Sequence, residues 1–233
     1  MPAPDYSSLV PLDYTYVLYD PSSHPVGPLL ALLTLSPFFL FSSYATIILI
    51  NRPLSGLNVL VGQLANEALN GVLKRRLKGV RPGVLGEGYG MPSSHSQFVG
   101  YSSTFLITHL LLIHQRQQGT GHPLPVRKTV TSRVTRYGLI LGLVSWSLLT
   151  GYSRVYLHYH TPGQVILGLS MGSLTGLVHS FVTEVIPFWY PGSLSGRMRT
   201  SIARVWAQWP IEGYAGFGPG SRRLGGEKGE KKV

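Results

Sequence analysis

The sequence predicts an all-α protein, a multi-pass bundle of about five transmembrane helices. Three observations point there. Hydrophobic residues make up 44% of the 233 and charged residues only 12%, about half the charge content of an ordinary soluble domain. The apolar residues are gathered into long blocks divided by connections rich in Pro, Gly and basic residues. Where polar side chains interrupt a block, they recur at helical spacing and so share one face.

Taken in order, residues 1–26 are rich in Pro, Tyr and Asp and are expected to form a surface segment. They have no basic stretch leading into an apolar core, so they do not read as a cleavable signal peptide. Residues 27–190 are expected to form the membrane domain. Its first block, Gly27–Ile50, is uncharged and long enough to cross a bilayer at about 1.5 Å per residue; Arg52-Pro53 ends it. The second, Leu57–Leu73, carries Gln63, Asn66, Glu67 and Asn70 at i, i+3, i+4 and i+7. Such a face belongs toward the protein interior rather than lipid, and it runs on to Lys74. The third block is His95–Ile113. The fourth, Tyr137–Tyr152, spans only if its helix begins near Arg133. In the fifth, Gly163–Ile186, Gly168, Gly172 and Gly176 recur every four residues, the spacing that lets helices approach closely in lipid. Phe188-Trp189-Tyr190 then reads as an interfacial aromatic girdle. Residues 191–233 form a tail in which Met198, Ile202, Val205, Trp206 and Trp209 share a helical face, with Arg197, Arg199 and Arg204 among them. That is the pattern of a helix lying on a membrane surface. The closing GGEKGEKKV is expected to be disordered.

The net charge of +11 does not point to nucleic acid, because the basic residues flank apolar blocks, where they set topology. Five lie between Arg116 and Arg136 and eight follow Tyr190, which makes both regions cytoplasmic. Lys74, Arg75, Arg76, Lys78 and Arg81 then fall on the opposite side, against the rule. Cations on the wrong side need another purpose, and binding an anion supplies one. There is no cysteine, so disulfides, thiolate zinc sites and cysteine nucleophiles are excluded.

Three clusters fall at block ends on that same side: Lys74-x6-Arg81-Pro82, Pro92-Ser93-Ser94-His95, and Ser153-Arg154-x5-His160. Alone, each has a bland reading as a solvated anchor or a helix start. Together, Lys74, Arg81 and Arg154 supply three cations, and a guanidinium can grip phosphate with two parallel bonds. Ser93, Ser94 and His95 open a helix, whose free N–H groups and positive dipole end favour anions. His95 and His160 can serve as acid, base or nucleophile. No Asp or Glu occurs between Glu87 and Glu184, so the carboxylates of a magnesium or zinc phosphatase are missing. His158 and His160 with His95 could hold a metal, but the composition favours metal-free phosphoryl transfer with a histidine nucleophile and no cofactor.

These three motifs, in this order, resemble those of the type-2 phosphatidic acid phosphatase superfamily, a helical, haloperoxidase-like fold. The resemblance covers about residues 57–180. It implies that Lys74, Arg81 and Arg154 hold phosphate, joined by Ser93 and Ser94, that His160 attacks phosphorus, and that His95 protonates the leaving group. One position departs from the pattern. The third motif of the family continues His-x3-Asp, whereas here it reads His160-Thr161-Pro162-Gly163-Gln164. A glutamine oxygen can still accept from the imidazole N–H, with less stabilisation of an imidazolium. Thr161-Pro162-Gly163-Gln164 also fits a capping box, so Gln164 has both a catalytic and a structural reading. With SRVYLHYHTPGQ and GQLANEALNGVLK, the chain is similar to eukaryotic dolichyl diphosphate phosphatases. That similarity implies a polyisoprenoid diphosphate substrate, an endoplasmic reticulum membrane location, a lumenal site, and recycling of the lipid carrier for N-glycosylation. The rival readings are a phosphatase for phosphatidate or sphingoid phosphates, and a non-catalytic lipid-binding membrane protein. His109 and His179 read as buried structural residues, His158 as packing, and Glu67 as a partner for Lys74 or a neighbouring amide.

Overall fold

A computed structural model describes residues 9–113 and 133–208, apart from positions 13, 14, 16, 24, 52, 84 and 87. Two short strands, β1 (Val10–Pro11) and β2 (Leu18–Tyr19), pair antiparallel at the N-terminal end. Among the described residues eight α-helices follow: α1 (Val26–Thr34), α2 (Ser36–Asn51), α3 (Leu54–Leu77), α4 (Ser94–Thr108), α5 (Arg133–Tyr156), α6 (Pro162–Ser180), α7 (Ile186–Trp189) and α8 (Leu194–Gln208). A π turn, His109–Ile113, extends α4, and another, Phe181–Val185, joins α6 to α7.

The block Gly27–Ile50 is not one straight helix, as its hydropathy predicts. It is α1 and α2, bent by 42° at Leu35. Pro37 is the cause: it lacks an N–H for the Leu33 carbonyl, and its ring crowds that carbonyl. By length and apolarity, Pro162–Trp189 can cross a membrane as a continuous helix, and α1 with α2 can do so as a bent pair. Helices α3, α4 and α5 are of membrane length or close to it but carry polar stripes that lower their hydropathy.

Those stripes face inward. Gln63, Asn66 and Asn70 of α3 are almost wholly buried. Asn70 donates to Gln97 Oε1 at 2.8 Å, Gln97 Nε2 donates to Asn66 Oδ1 at 3.0 Å, and Ser102 donates to Gln63 Oε1 at 2.8 Å. Amide-to-amide bonds of this kind satisfy groups that would cost several kcal/mol in hydrocarbon, roughly, if left unpaired. The glycine stripe does what its spacing predicts. Gly168, Gly172 and Gly176 line the face of α6 against α4, where an added Cβ at Gly168 would lie 2.6 Å from Ser93 O and one at Gly176 2.5 Å from Tyr101 O; at Gly172 it would overlap the Gln97 carbonyl.

At the far end of the bundle, α8 is tied down by Arg199. Its Nη1 lies 2.7 Å from Glu184 Oε1 and donates to the Thr183 carbonyl, also at 2.7 Å. Asn58 of α3 donates to the same carboxylate at 2.8 Å. The apolar residues Leu194, Met198, Ile202 and Val205 of α8 remain at least half exposed. Residues 114–132, with His114, His122 and most of the basic loop, and the tail from Trp209 onward lie outside the described residues.

Candidate active site

Four helix ends meet at one end of the bundle: the C-terminus of α3, the N-terminus of α4, the C-terminus of α5 and the N-terminus of α6. Each of the three sequence clusters sits at one or two of them. Lys74 is in the last turn of α3, which ends where Lys78 takes a left-handed conformation (φ 47°) and donates its N–H to the Lys74 carbonyl. The chain then turns through Arg81 and returns to α4.

Ser93 caps α4. Its side chain accepts from the Ser96 N–H, its own N–H donates to the Gln164 carbonyl at 3.1 Å, and it is fully buried. Its hydroxyl thus caps α4, and its N–H joins α4 to the first turn of α6. Ser94 and His95 follow in the first turn, where their N–H groups have no carbonyl of the helix to donate to and point out of its N-terminus.

Arg154 is 5% exposed, and its guanidinium lies over the Tyr159 ring, 4.0 Å from the centroid. Its Nε is buried without a hydrogen-bond partner, and among the described residues no carboxylate pairs with it. Arg81 reaches the same turn from the other side. Its Nη1 donates to the Tyr159 carbonyl at 3.3 Å and its Nε to the Gly88 carbonyl at 3.2 Å. Burial pulls the Arg81 guanidinium below its ordinary pKa, leaving it charged at neutral pH. Lys74, Arg81 and Arg154 all act electrostatically on both His95 and His160, which locates all five groups around one space.

His160 is 3% exposed. Its Nδ1 lies 3.1 Å from Gln164 Oε1, and Gln164 Nε2 donates to the Val80 carbonyl at 2.7 Å. The bond to Val80 fixes which end of the amide is oxygen, so the ring nitrogen facing Oε1 must be the N–H. The proton is therefore on Nδ1, and the lone pair on Nε2. The same Oε1 accepts from the Thr161 N–H at 3.2 Å, while Thr161 Oγ1 accepts from the Gln164 N–H at 3.3 Å. The capping box is complete, and its glutamine also holds the histidine. The two readings of Gln164 are one arrangement. Burial, and then the Arg154 charge, lower the His160 pKa to about 4, against the opposing effect of the Gln164 bond. The ring is neutral at physiological pH.

Tyr159 is the functional neighbour that residue patterns did not single out. Its ring supports Arg154, its carbonyl receives Arg81, and its hydroxyl accepts from the Leu18 N–H at 2.9 Å, docking the N-terminal strands beside the site. An aromatic residue directly before His160 was the available signal. His158, by contrast, is exposed with φ 58° and turns away at the reversal after α5. Among the described residues no group of three histidine or carboxylate side chains is spaced to hold a metal ion.

A gathering of cations and helix N–H groups beside two histidines, one held by its nitrogen and neutral, defines a class: a phosphoryl-transfer site at one end of a helical membrane bundle. Residues 84–186 match the model of the PAP2 superfamily. A transmembrane PAP2-type phosphatidylglycerolphosphate phosphatase from Bacillus subtilis has the same fold, with a TM-score of 0.53 and 21% identity over 68% of this chain and 76% of that one. The chain belongs to the PAP2 superfamily. Among its relatives, the dolichyldiphosphatase of Saccharomyces cerevisiae is 36% identical over 189 residues, covering 77% of this chain and 72% of the relative. Human dolichyldiphosphatase 1 is 36% identical over 182 residues, 76% and 72% of the two chains, and that of Dictyostelium discoideum 32% over 192 residues, 80% and 78%.

Proposed function

We propose that this protein hydrolyses dolichyl diphosphate to dolichyl phosphate and phosphate, in the endoplasmic reticulum membrane with its site toward the lumen, and so recycles the lipid carrier of N-glycosylation. The reading is supported by the PAP2 match, by relatives named dolichyldiphosphatases over most of both chains, and by one observation above others. A buried guanidinium, Arg154, keeps an unpartnered Nε beside two histidines. An unpaired buried N–H on a cation costs several kcal/mol, roughly, and the cost is removed when a phosphoryl oxygen binds.

The terminal phosphate enters among Lys74, Arg81, Arg154 and the N–H groups of Ser94 and His95, while the polyprenyl chain stays in the bilayer. His160 Nε2 attacks phosphorus in line; its Nδ1–H keeps the Gln164 oxygen. The bond to the bridging oxygen breaks, and that oxygen takes the proton of a charged His95. Dolichyl phosphate leaves. His95, now neutral, takes a proton from water, whose oxygen attacks the phosphohistidine and frees phosphate. The cations stabilise the charge that develops on the equatorial oxygens, the largest contribution in phosphoryl transfer.

Five crossings fit this role: the α1–α2 pair, α3, α4, α5 and α6, with residues 27–190 as the membrane domain, β1 and β2 beside the site, and the residues from 191 on the cytoplasmic side. In that arrangement α8 lies at the cytoplasmic interface, with Arg197 and Arg204 toward anionic headgroups and Arg199 held by Glu184.

The test is phosphate release by purified protein from dolichyl diphosphate, phosphatidate and a sphingoid phosphate, with and without EDTA. We expect dolichyl diphosphate to be turned over fastest, EDTA to leave the rate unchanged, and His160→Ala to lose at least about 10³-fold while remaining folded. Faster turnover of phosphatidate would move the substrate assignment, and a His160→Ala variant with near-wild-type activity would overturn the nucleophile.

A further inference from the structure

The polar stripe of α3 leaves two buried side-chain atoms without a hydrogen-bond partner, Gln63 Nε2 and Glu67 Oε1. Asn66, Asn70 and Gln63 are each engaged by Gln97 or Ser102. Glu67 is not: its Oε1 is buried without a hydrogen-bond partner. Lys74, two turns later on the same helix, acts on it electrostatically, and Gln63, one turn earlier, lies within side-chain hydrogen-bonding range of the carboxylate; Oε1 itself closes no hydrogen bond. The carboxylate faces a cavity of about 150 Å³ lined by Pro37 and Phe41 of α2, Glu67 of α3, and Ser94, His95 and Phe98 of α4. A buried carboxylate and a site histidine therefore share one partly apolar space, large enough for water to bridge them.

The two histidines are held differently. His160 has Gln164 on its Nδ1, while His95 has no such hydrogen bond among the described residues. His95 also stands among Arg154, Lys74 and Arg81, so a fourth positive charge there needs compensation. An anionic substrate supplies part of it, on one side of the ring only, and carries it away at each turnover.

We propose that Glu67 is the positioning residue for His95: across the cavity they share, its carboxylate stabilises the charged imidazolium and orients the ring so that its other N–H points at the leaving oxygen. This rests on the reading of His95 as the general acid. His95 gives its proton to the bridging oxygen as the P–O bond breaks and regains one from the attacking water as the P–N bond breaks, and Glu67 holds the ring through both transfers. The titratable groups around Glu67 are Lys74 on its own helix and His95 on α4, with Arg81, Arg154 and His160 acting on His95 from beyond it. The only carboxylate in this group is Glu67 itself.

The experiment measures kcat and KM for dolichyl diphosphate against pH with the full-length protein in detergent micelles, comparing wild type, Glu67→Gln and Glu67→Asp. Removing the negative charge disfavours the imidazolium, so the alkaline limb of kcat, where His95 loses its proton in the complex, moves to lower pH. We expect a shift of about one pH unit or more in Glu67→Gln, kcat lower by about tenfold or more, KM within about twofold, and partial recovery of both limb and rate in Glu67→Asp. A Glu67→Gln enzyme with its alkaline limb where the wild type has it, or a Glu67→Asp enzyme no better than Glu67→Gln, overturns the proposal. If Glu67→Gln does not purify as a folded protein, Glu67→Ala takes its place, and an alkaline limb where the wild type has it overturns the proposal. Wild-type protein that releases no phosphate from dolichyl diphosphate is a different outcome, which removes the underlying reading and this proposal with it.

Discussion

Gln164 carries three bonds with two atoms, one to the His160 ring, one to the Thr161 N–H and one to the Val80 carbonyl. A side chain so constrained leaves little freedom to the imidazole it faces. Gln164→Asn shortens the reach by one methylene, about 1.5 Å, and should break the ring contact. We expect kcat to fall by about tenfold or more while the fold survives, measured as phosphate release beside thermal inactivation; an unchanged kcat would assign Gln164 to capping alone. A neutral amide also explains how His160 titrates. With no carboxylate to stabilise the imidazolium, burial and Arg154 hold its pKa at about 4. The free enzyme keeps its nucleophile as pH falls until protonation near that value removes it. Once ionisation of the substrate phosphate is divided out, the acid limb of kcat/KM should lie near pH 4. A limb near the ordinary histidine value would show a ring more solvated than the structure has it.

Among the elements, the α4–α6 contact decides the site. Gly168, Gly172 and Gly176 bring the two helix backbones together, and the same contact sets Ser93 against Gln164 at 3.1 Å. Replacing Gly172 by Val would drive two methyl groups into the Gln97 carbonyl and should cost about 1–3 kcal/mol or more, read as a lower temperature of thermal inactivation in detergent, with activity lost in parallel because the His95 and His160 helices separate. Gly71 in α3 meets nothing within 4 Å, so Gly71→Ala should raise stability, by about 0.5–1 kcal/mol from helix propensity alone. Loss of stability at both positions alike would mean that the glycines do not act through close packing.

On the scale of the molecule, the two ends of the bundle differ in kind. One end gathers the cations Lys74, Arg81 and Arg154 around two histidines; the other pairs Arg199 with Glu184 and exposes the apolar side of α8. The first suits a transient anion and the second a permanent anchorage at an interface. The sequence has no cysteine, so single-cysteine variants report sidedness without background. In sealed microsomes, Ser201→Cys on α8 should react with a membrane-impermeant maleimide, and Tyr89→Cys beside Arg81 only after permeabilisation. The reverse pattern would invert the proposed topology.

Much of this was legible before any fold was known, because a bilayer imposes strict rules on a chain that crosses it. Blocks of apolar residues, basic flanks, a polar stripe at helical period and glycines every fourth residue are one-dimensional traces of those rules. The three clusters likewise keep their chemistry in their spacing. What lay beyond the sequence was whatever depends on distance between remote residues. The bend at Pro37 divided a block that hydropathy joins. The Ser93 N–H came to join α4 to α6 through the Gln164 carbonyl. One oxygen of Gln164 came to serve both a helix cap and a histidine, Tyr159 became the platform for Arg154, and Glu67 came to share a cavity with His95. Hydropathy and motif spacing are local properties of the chain, whereas hydrogen bonds, burial and electrostatic coupling arise only when helix ends meet, and that meeting is decided by packing.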